Sequence, residues 1–197
     1  MNFSIGLVGD AKVGKTTWIK RITTGEFQKE HKIVNEKHQV SFNTNKGRVT
    51  FNVVELRPED VTSDEWIPEN LIYMFDVSNE ESFNGFARVF WEPDDFHDYL
   101  AIVANKVESK KNRIVMPAVI NHQLKELNRL GATNICGSEY FEISAKSNFQ
   151  FEKPWLHAAR VLAEDPDLVF VPEVAVEPPE CVMDLAFHVE QIPRANL

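Results

Sequence analysis

The stretch Gly9-Asp10-Ala11-Lys12-Val13-Gly14-Lys15-Thr16-Thr17 decides the fold of this 197-residue chain. It has the spacing G-x-x-x-x-G-K-T, follows the apolar run Phe3–Val8 and precedes a helix-compatible stretch, Thr16–Thr24. A strand, a glycine-rich turn and a helix in this order are typical of a phosphate-binding loop. The N–H groups of such a turn and the helix N-terminus both attract an anion. We therefore predict a nucleotide site in which Lys15 reaches the terminal phosphates and the Thr16 hydroxyl ligates Mg²⁺.

Strands and helical stretches alternate along the chain, which predicts an α/β fold with a mostly parallel six-stranded sheet covered by helices on both faces. The predicted strands are Ser4–Val8, Gln39–Asn43, Arg48–Glu55, Leu71–Val77, Tyr99–Ala104 and Tyr140–Ile143. The predicted helices are Lys15–Thr24, Ser82–Phe90, Pro117–Leu130 and Gln150–Ala163. The triplet Asn45-Lys46-Gly47 favours a hairpin between the second and third strands. The aromatic stripe of Phe83, Phe86 and Phe90 is expected in the core and not at a ligand site.

Several polar or glycine positions coincide with the ends of these strands. Gly9 follows the first strand, Glu55 ends the third, and Asn105 and Ser144 follow the last two. In an open parallel sheet the ligand sits beyond the carboxyl ends of the strands. The sequence thus predicts that residues far apart in the chain form one site at this edge of the sheet.

The composition indicates one globular domain followed by an acidic tail. Apolar residues make up 43% of the chain and charged residues 26%, which is typical of a globular protein, and no apolar run has the length of a membrane span. Of the net charge of −9, most lies after residue 163, because residues 164–190 hold eight acidic residues and no Lys or Arg. We therefore divide the chain into a domain, 1–163, and an acidic Pro/Val-rich C-terminal tail, 164–197. The tail is either a solvated end or a segment for a basic partner.

Targeting and partner signals are few. Cys136 and Cys181 lie far apart without metal-ligand spacing, so we expect reduced, intracellular thiols. The N-terminus enters a strand at once and Arg194–Leu197 contains no prenylation cysteine, so we expect neither a secretion signal nor a membrane anchor. No basic stripe or aromatic platform suggests nucleic-acid binding.

The motifs together resemble those of the Ran family of small GTPases, in the Ras superfamily. The matching segments are Gly6–Asp10, Lys15–Arg21, Thr24–Phe27, Asn43–Gly47, Phe51–Val53, Met74–Val77, Asn105–Val107, Ile143–Asn148, Phe151–Pro154, Pro178–Glu180 and Val182–Asp184. The last two are similar to a C-terminal segment specific to Ran-like proteins. The resemblance implies a monomeric GTP/GDP switch with Mg²⁺ that acts in nucleocytoplasmic transport, in the nucleus and the cytoplasm. It also implies transport receptors, an exchange factor and Ran-binding domains as partners.

The resemblance assigns the base pocket as well. Asn105-Lys106-Val107-Glu108 is similar to the N-K-x-D motif, whose carboxylate accepts hydrogen bonds from two guanine N–H groups. Here Glu108 keeps the charge on a side chain one methylene longer. Ser144-Ala145-Lys146 is similar to the motif in which the Ala145 N–H contacts the base oxygen and Lys146 packs nearby. Because polar groups left unpaired by adenine cost about 1–3 kcal/mol each, we expect guanine preference to persist with reduced affinity.

The two segments that respond to nucleotide state in the family depart from its pattern. The first, Gln28–Lys37, has no Thr or Ser to ligate Mg²⁺. In the second, Glu55 replaces the aspartate that holds an Mg²⁺-bound water, and we expect Glu55 to hold that water from a longer side chain. Pro58 replaces a glycine whose N–H meets the γ-phosphate, and Glu59 replaces the glutamine that positions the attacking water. Since proline lacks an N–H and a carboxylate cannot donate as an amide does, we expect Glu59 to be a degenerate catalytic position and hydrolysis to be impaired.

Three functions remain open at this point. The first is a guanine-nucleotide switch in transport. The second is a non-hydrolysing module that mimics Ran and binds or sequesters transport factors. The third is a phosphotransferase acting on a small substrate, which is disfavoured because no second cluster of Arg or Lys is present to bind one.

Overall fold

The computed structural model of the chain describes residues 1–27, 37–61, 69–90, 98–129 and 139–171. Its strands are β1 (Asn2–Val8), β2 (Lys37–Thr44), β3 (Gly47–Leu56), β4 (Asn70–Asp76), β5 (Tyr99–Asn105) and β6 (Glu139–Glu142). Its helices are α1 (Lys15–Thr24), α2 (Glu80–Phe90), α3 (Pro117–Arg129) and α4 (Lys153–Leu162), with short 3₁₀ turns at Pro58–Asp60 and Lys110–Asn112. The six strands and four helices predicted from the sequence are all present.

The strands form one sheet in the order β2-β3-β1-β4-β5-β6. β2 and β3 are antiparallel and turn at Gly47, whose φ of 98° is a left-handed conformation that favours glycine. The other neighbouring strands run parallel to each other. The carboxyl ends of β1, β3, β4 and β5 therefore lie along one edge of the sheet, which confirms the predicted mostly parallel architecture.

Helices cover both faces of the sheet because the central strands are apolar on both sides. Along β4, the side chains of Leu71, Tyr73 and Phe75 enter one core, and those of Ile72 and Met74 enter the other. The first core also contains Val8, Phe83, Phe86, Leu100, Ile102 and Ile120, and the second contains Ile5, Leu7, Trp18, Ile19, Phe51, Trp155 and Ala158. The predicted burial of Phe83 and Phe86 is confirmed, and the side chain of Phe90 lies outside the described set. Within the described ranges, none of the helices is long and apolar enough to cross a membrane.

A pair of tryptophans fixes α1 against α4. The rings of Trp18 and Trp155 stack with centroids 4.7 Å apart, and both side chains are fully buried. Trp18 Nε1 also donates to the Phe151 carbonyl over 2.7 Å. Truncating a buried tryptophan costs about 3–5 kcal/mol, so this contact holds α1, and with it the loop that precedes the helix, in a defined position.

The chain that follows α4 packs on the β2–β3 hairpin. Leu168 is fully buried, and the ring of Phe170 stacks on that of Phe42 with centroids 4.0 Å apart. The Val171 N–H donates to the Asn43 carbonyl over 2.8 Å. Residues 164–171, which the sequence division places in the tail, thus contact the domain, and residues 172–197 lie outside the described ranges.

Candidate nucleotide-binding site

The glycine-rich loop joins β1 to α1 at the carboxyl edge of the sheet. A Cβ at Gly9 would collide with the Met74 carbonyl on β4, and one at Gly14 would collide with Asn105 Nδ2 at the end of β5. Gly14 is the N-cap of α1, with φ at 107° and no side-chain cap. Gly14 therefore gives α1 no side-chain cap at the end of the loop, and a helix N-terminus in this position is suited to binding an anion.

Lys15 is folded back over this loop. Its Nζ donates to the Gly9 carbonyl over 2.5 Å and to the Asp10 carbonyl over 3.0 Å, and the residue is only 9% exposed. Burial lowers the pKa of the Lys15 ammonium, against the opposing pull of the Glu55 and Asp10 carboxylates. A phosphate group is the kind of ligand that would favour the charged form of this buried amine.

Thr16, the expected Mg²⁺ ligand, contacts Glu55, which was expected to hold a water bound to Mg²⁺. The Thr16 Oγ1 donates to Glu55 Oε2 over 2.9 Å, so that a hydroxyl and a carboxylate lie side by side. Among the described residues, no three His, Cys, Asp or Glu side chains gather as a metal site. This pair suits Mg²⁺, which prefers oxygen ligands and is commonly bound by one or two side chains together with phosphate oxygens.

His38 is a member of this group that sequence reasoning missed. Its Nε2 lies 2.9 Å from Glu55 Oε1, the carboxylate oxygen that Thr16 does not contact. A single histidine at the start of a strand belongs to no recognisable sequence motif, so nothing in the sequence pointed to it. Only the antiparallel register, in which His38 pairs with Val53, brings it beside Glu55.

A cavity of about 240 Å³ opens beside the loop. It is lined by Lys12, Gly14, Thr17, Phe27, Asn105, Lys106, Glu108, Ala145 and Lys146. Apart from Phe27, all of these positions were predicted as nucleotide ligands from the loop and from the two base motifs. Phe27, which entered the predictions only through the family resemblance, adds an aromatic ring to the lining.

Glu108 is the lining residue with an unsatisfied polar atom. Its Oε2 is buried and accepts no hydrogen bond from the described part of the protein. Leaving a buried acceptor without a donor costs about 1–3 kcal/mol, and more when it is charged. A ligand edge with N–H donors, such as that of guanine, would remove this cost, so the cavity fits the base that the motif predicts.

Asn105 fastens the loop to the ends of two strands. Its Nδ2 donates to the Val13 carbonyl over 3.0 Å, and its Oδ1 accepts from the Lys106 N–H at 2.8 Å and the Ala145 N–H at 3.3 Å. The family resemblance assigned the Ala145 N–H to a base oxygen. In this structure that N–H donates to Asn105 Oδ1, so a base oxygen would share the Ala145 N–H with Asn105.

Lys106 makes a second connection across the site. Its Nζ donates to the Lys12 carbonyl over 2.8 Å and to Asp76 Oδ2 over 2.6 Å. Asp76, at the end of β4, was not singled out from the sequence, although its place at a strand end was the available signal. Lys106 therefore holds the loop and β4 together beside the cavity.

Ser144 acts within its own loop. It is fully buried, its Oγ accepts from the Ser147 N–H over 2.9 Å, and its N–H donates to the Phe149 carbonyl over 3.0 Å. It does not line the cavity, whereas its neighbours Ala145 and Lys146 do. Ser144 thus shapes the turn that presents those two residues.

The predicted catalytic position lies in the 3₁₀ turn after β3. Pro58 is buried, and Glu59 forms an ion pair with Arg57 at 3.1 Å while its side chain remains 60% exposed. Arg57 also donates to Asp60, through Nη2 at 2.8 Å and Nε at 3.2 Å, and this contact lowers the pKa of Asp60. The Glu59 side chain therefore lies at the protein surface, paired with Arg57 of the same turn. Residues 28–36, most of the predicted first switch, lie outside the described ranges.

Comparison with known protein families gives one match that spans the site. The family model described as the Ras family matches residues 5–164. The matched region runs from β1 through α4. It contains the loop, both base motifs, the Thr16–Glu55 pair and Glu59.

Proposed function

The chain belongs to the Ras family of small GTPases, and we propose that it binds GTP or GDP with Mg²⁺ as a Ran-like member whose GTP hydrolysis is impaired. The observation that carries the guanine assignment is the buried, unpartnered Oε2 of Glu108 in the cavity beside the loop. Guanine presents two N–H donors on one edge, and adenine does not present that pair. Thr16 would ligate Mg²⁺ and Glu55 would hold a water bound to it, and the ion would neutralise phosphate charge.

Two measurements test nucleotide binding. The first identifies any nucleotide released when the purified protein is denatured, where GDP or GTP is expected. The second is calorimetry of nucleotide-stripped protein with GDP, GTP and ATP. Lys15→Ala should weaken binding strongly, whereas Lys20→Ala, a matched change on the same helix, should not. Absence of heat with all three nucleotides, using folded wild-type protein, would refute the proposal.

Impaired hydrolysis is supported by the turn after β3. Pro58 offers no N–H to a γ-phosphate, and Glu59 is an anion held by Arg57 instead of a neutral amide donor. In Ras the acceleration by a GTPase-activating protein is about 10⁵-fold and depends on a correctly positioned water. We therefore expect slow intrinsic hydrolysis that such a protein restores only slightly.

A single-turnover assay decides this point. Wild-type protein loaded with GTP should cleave it slowly, and Glu59→Gln should be faster at equal GTP occupancy. Rapid cleavage by the wild type on addition of the activating protein would contradict the proposal. So would a Glu59→Gln variant that is no faster than the wild type.

The cellular role that we propose follows from the resemblance to Ran. The chain would act in nucleocytoplasmic transport, in the nucleus and the cytoplasm, through transport receptors, an exchange factor and Ran-binding domains. The acidic tail would contribute scattered surface charges, worth up to about 1 kcal/mol per pair and screened by salt. A Ran-binding domain should therefore bind the full chain more tightly than a version that ends at Val171. Equal affinities would mean that the tail is only a solvated end.

A non-hydrolysing mimic of Ran is the second candidate. The same capped turn favours it, because Arg57 pairs with both Glu59 and Asp60 and so holds the turn through local contacts. Such a mimic would bind transport factors equally well with GDP or GTP. Affinities that differ between the two nucleotide states would favour a switch.

A further inference from the structure

The contacts of Glu55 assign a role to a residue outside the nucleotide motifs. We propose that His38 is a positioning residue for the Mg²⁺ site, which holds the Glu55 carboxylate beside Thr16. The inference rests on the proposed nucleotide binding and concerns how this chain keeps the carboxylate of a longer side chain in place beside Mg²⁺.

Each oxygen of the Glu55 carboxylate is held from a different element. Oε2 accepts from Thr16 Oγ1 of α1 at 2.9 Å, and Oε1 lies 2.9 Å from His38 Nε2 of β2. The side chains are largely buried, with 16% of His38 and 7% of Glu55 exposed. An ionised carboxylate only accepts hydrogen bonds, so the contact is a hydrogen bond in the tautomer of His38 that carries its proton on Nε2. Held at both oxygens, the carboxylate is fixed in its rotation as well as its position.

The length of Glu55 explains why a second contact is needed. A glutamate has one more rotatable bond than the aspartate expected here, and a long side chain loses more conformational entropy when it is fixed. Partners that hydrogen-bond to a metal ligand orient it, and removing one of them reduces metal affinity by about 10–100-fold. His38 would supply that orientation from a strand that carries no nucleotide motif.

The test measures how release of nucleotide from the full chain depends on Mg²⁺. Dissociation of a fluorescent GDP analogue is followed across a series of free Mg²⁺ concentrations, and the midpoint of the Mg²⁺ effect is compared between variants. His38→Ala should raise the midpoint about tenfold. His38→Gln, which retains an N–H donor, should recover part of the shift. Mn²⁺ titration of the GDP complexes, followed by electron paramagnetic resonance, compares the metal affinities directly.

Two controls separate positioning from a general effect on the hairpin. Gln39→Ala changes the next residue of β2, whose side chain is exposed and donates to Asn52 Oδ1 over 3.4 Å, and should leave the midpoint unchanged. In a Glu55→Gln background, His38→Ala should cause little further shift, because the charged carboxylate that it positions is already absent. Melting curves without nucleotide show whether each variant is folded.

The outcomes distinguish this inference from the proposed function. A Mg²⁺-dependent wild type with an unchanged His38→Ala midpoint would overturn the role of His38 alone. A lower midpoint in His38→Ala would also overturn it, since His38 would then compete with Mg²⁺ for Glu55. A wild type that binds no nucleotide would overturn both the proposed function and the inference.

Discussion

Replacing Glu108 by Ala should weaken the binding of guanine nucleotide without lowering the melting temperature of the nucleotide-free protein. The change removes a carboxylate whose Oε2 is buried without a hydrogen-bond partner in the described structure. In the absence of nucleotide the substitution removes a buried acceptor that has no hydrogen-bond donor, and with it the cost of burying that acceptor. The variant should therefore melt at the same temperature as the wild type or above it. In the presence of guanine nucleotide it deletes the acceptor for two N–H groups, so binding should weaken.

The size of the binding loss follows from the number of contacts. A hydrogen bond to a charged group contributes about 1.5–3 kcal/mol. Taking the lower value for each of two bonds, because Glu108 also lines an open cavity, gives about 3 kcal/mol, or a loss of about 100-fold in GDP affinity. ADP does not present that pair of donors, so its affinity should change by less than about threefold.

Calorimetry with GDP and ADP, paired with thermal melts of the nucleotide-free protein, measures both effects. Glu81→Ala, an exposed glutamate in the first turn of α2, is the matched control and should change neither quantity. Equal losses for GDP and ADP would show that Glu108 does not read the base. A lower melting temperature would show that its carboxylate stabilises the fold, and either result would refute the reasoning.

Three further perturbations test the scaffold. Gly14→Ala places a Cβ against Asn105 Nδ2 at a φ of 107°, so it should abolish nucleotide binding and lower the melting temperature, as calorimetry and thermal melts will show. Arg113→Ala leaves the buried Glu142 without its two-pronged guanidinium partner and should cost about 3–5 kcal/mol in urea unfolding; replacing both residues by apolar ones should cost less. Phe170→Ala removes a stacked ring at 4.0 Å and should lower the free energy of unfolding by about 2–3 kcal/mol without changing GDP affinity; a loss of affinity would contradict its assignment to packing.

The fold was predictable because its signals are local. The apolar β1, the glycine-rich loop and α1 follow each other within the first 24 residues, and the triplet Asn45–Gly47 turns β2 into β3. β4 is apolar on both faces, which by itself calls for helices on both sides of the sheet. These features depend on neighbouring residues and on periodicity, so they can be recognised without knowledge of distant contacts.

The site was predictable only where a motif spans it. Asn105, Lys106 and Glu108, which the motifs predict as nucleotide ligands, line the cavity, whereas Ser144, from the same set of motifs, supports a turn. Spacing shows which residues reach a strand end. It does not show which of them face the cavity, because side-chain direction at the end of a strand depends on the local hydrogen bonds.

Tertiary structure alone decided the partners of Glu55 and Lys106. His38 and Glu55 are 17 residues apart and meet because of the β2–β3 register, and Asp76 and Lys106 are 30 apart and meet because β4 and β5 are neighbours in the sheet. The sequence by itself determined an α/β domain with a phosphate-binding loop, and it showed that Glu55 and Glu108 stand where the family pattern has aspartates. Their surroundings came from the register and order of the strands, since a shift of one residue in a strand would move each side chain to the opposite face.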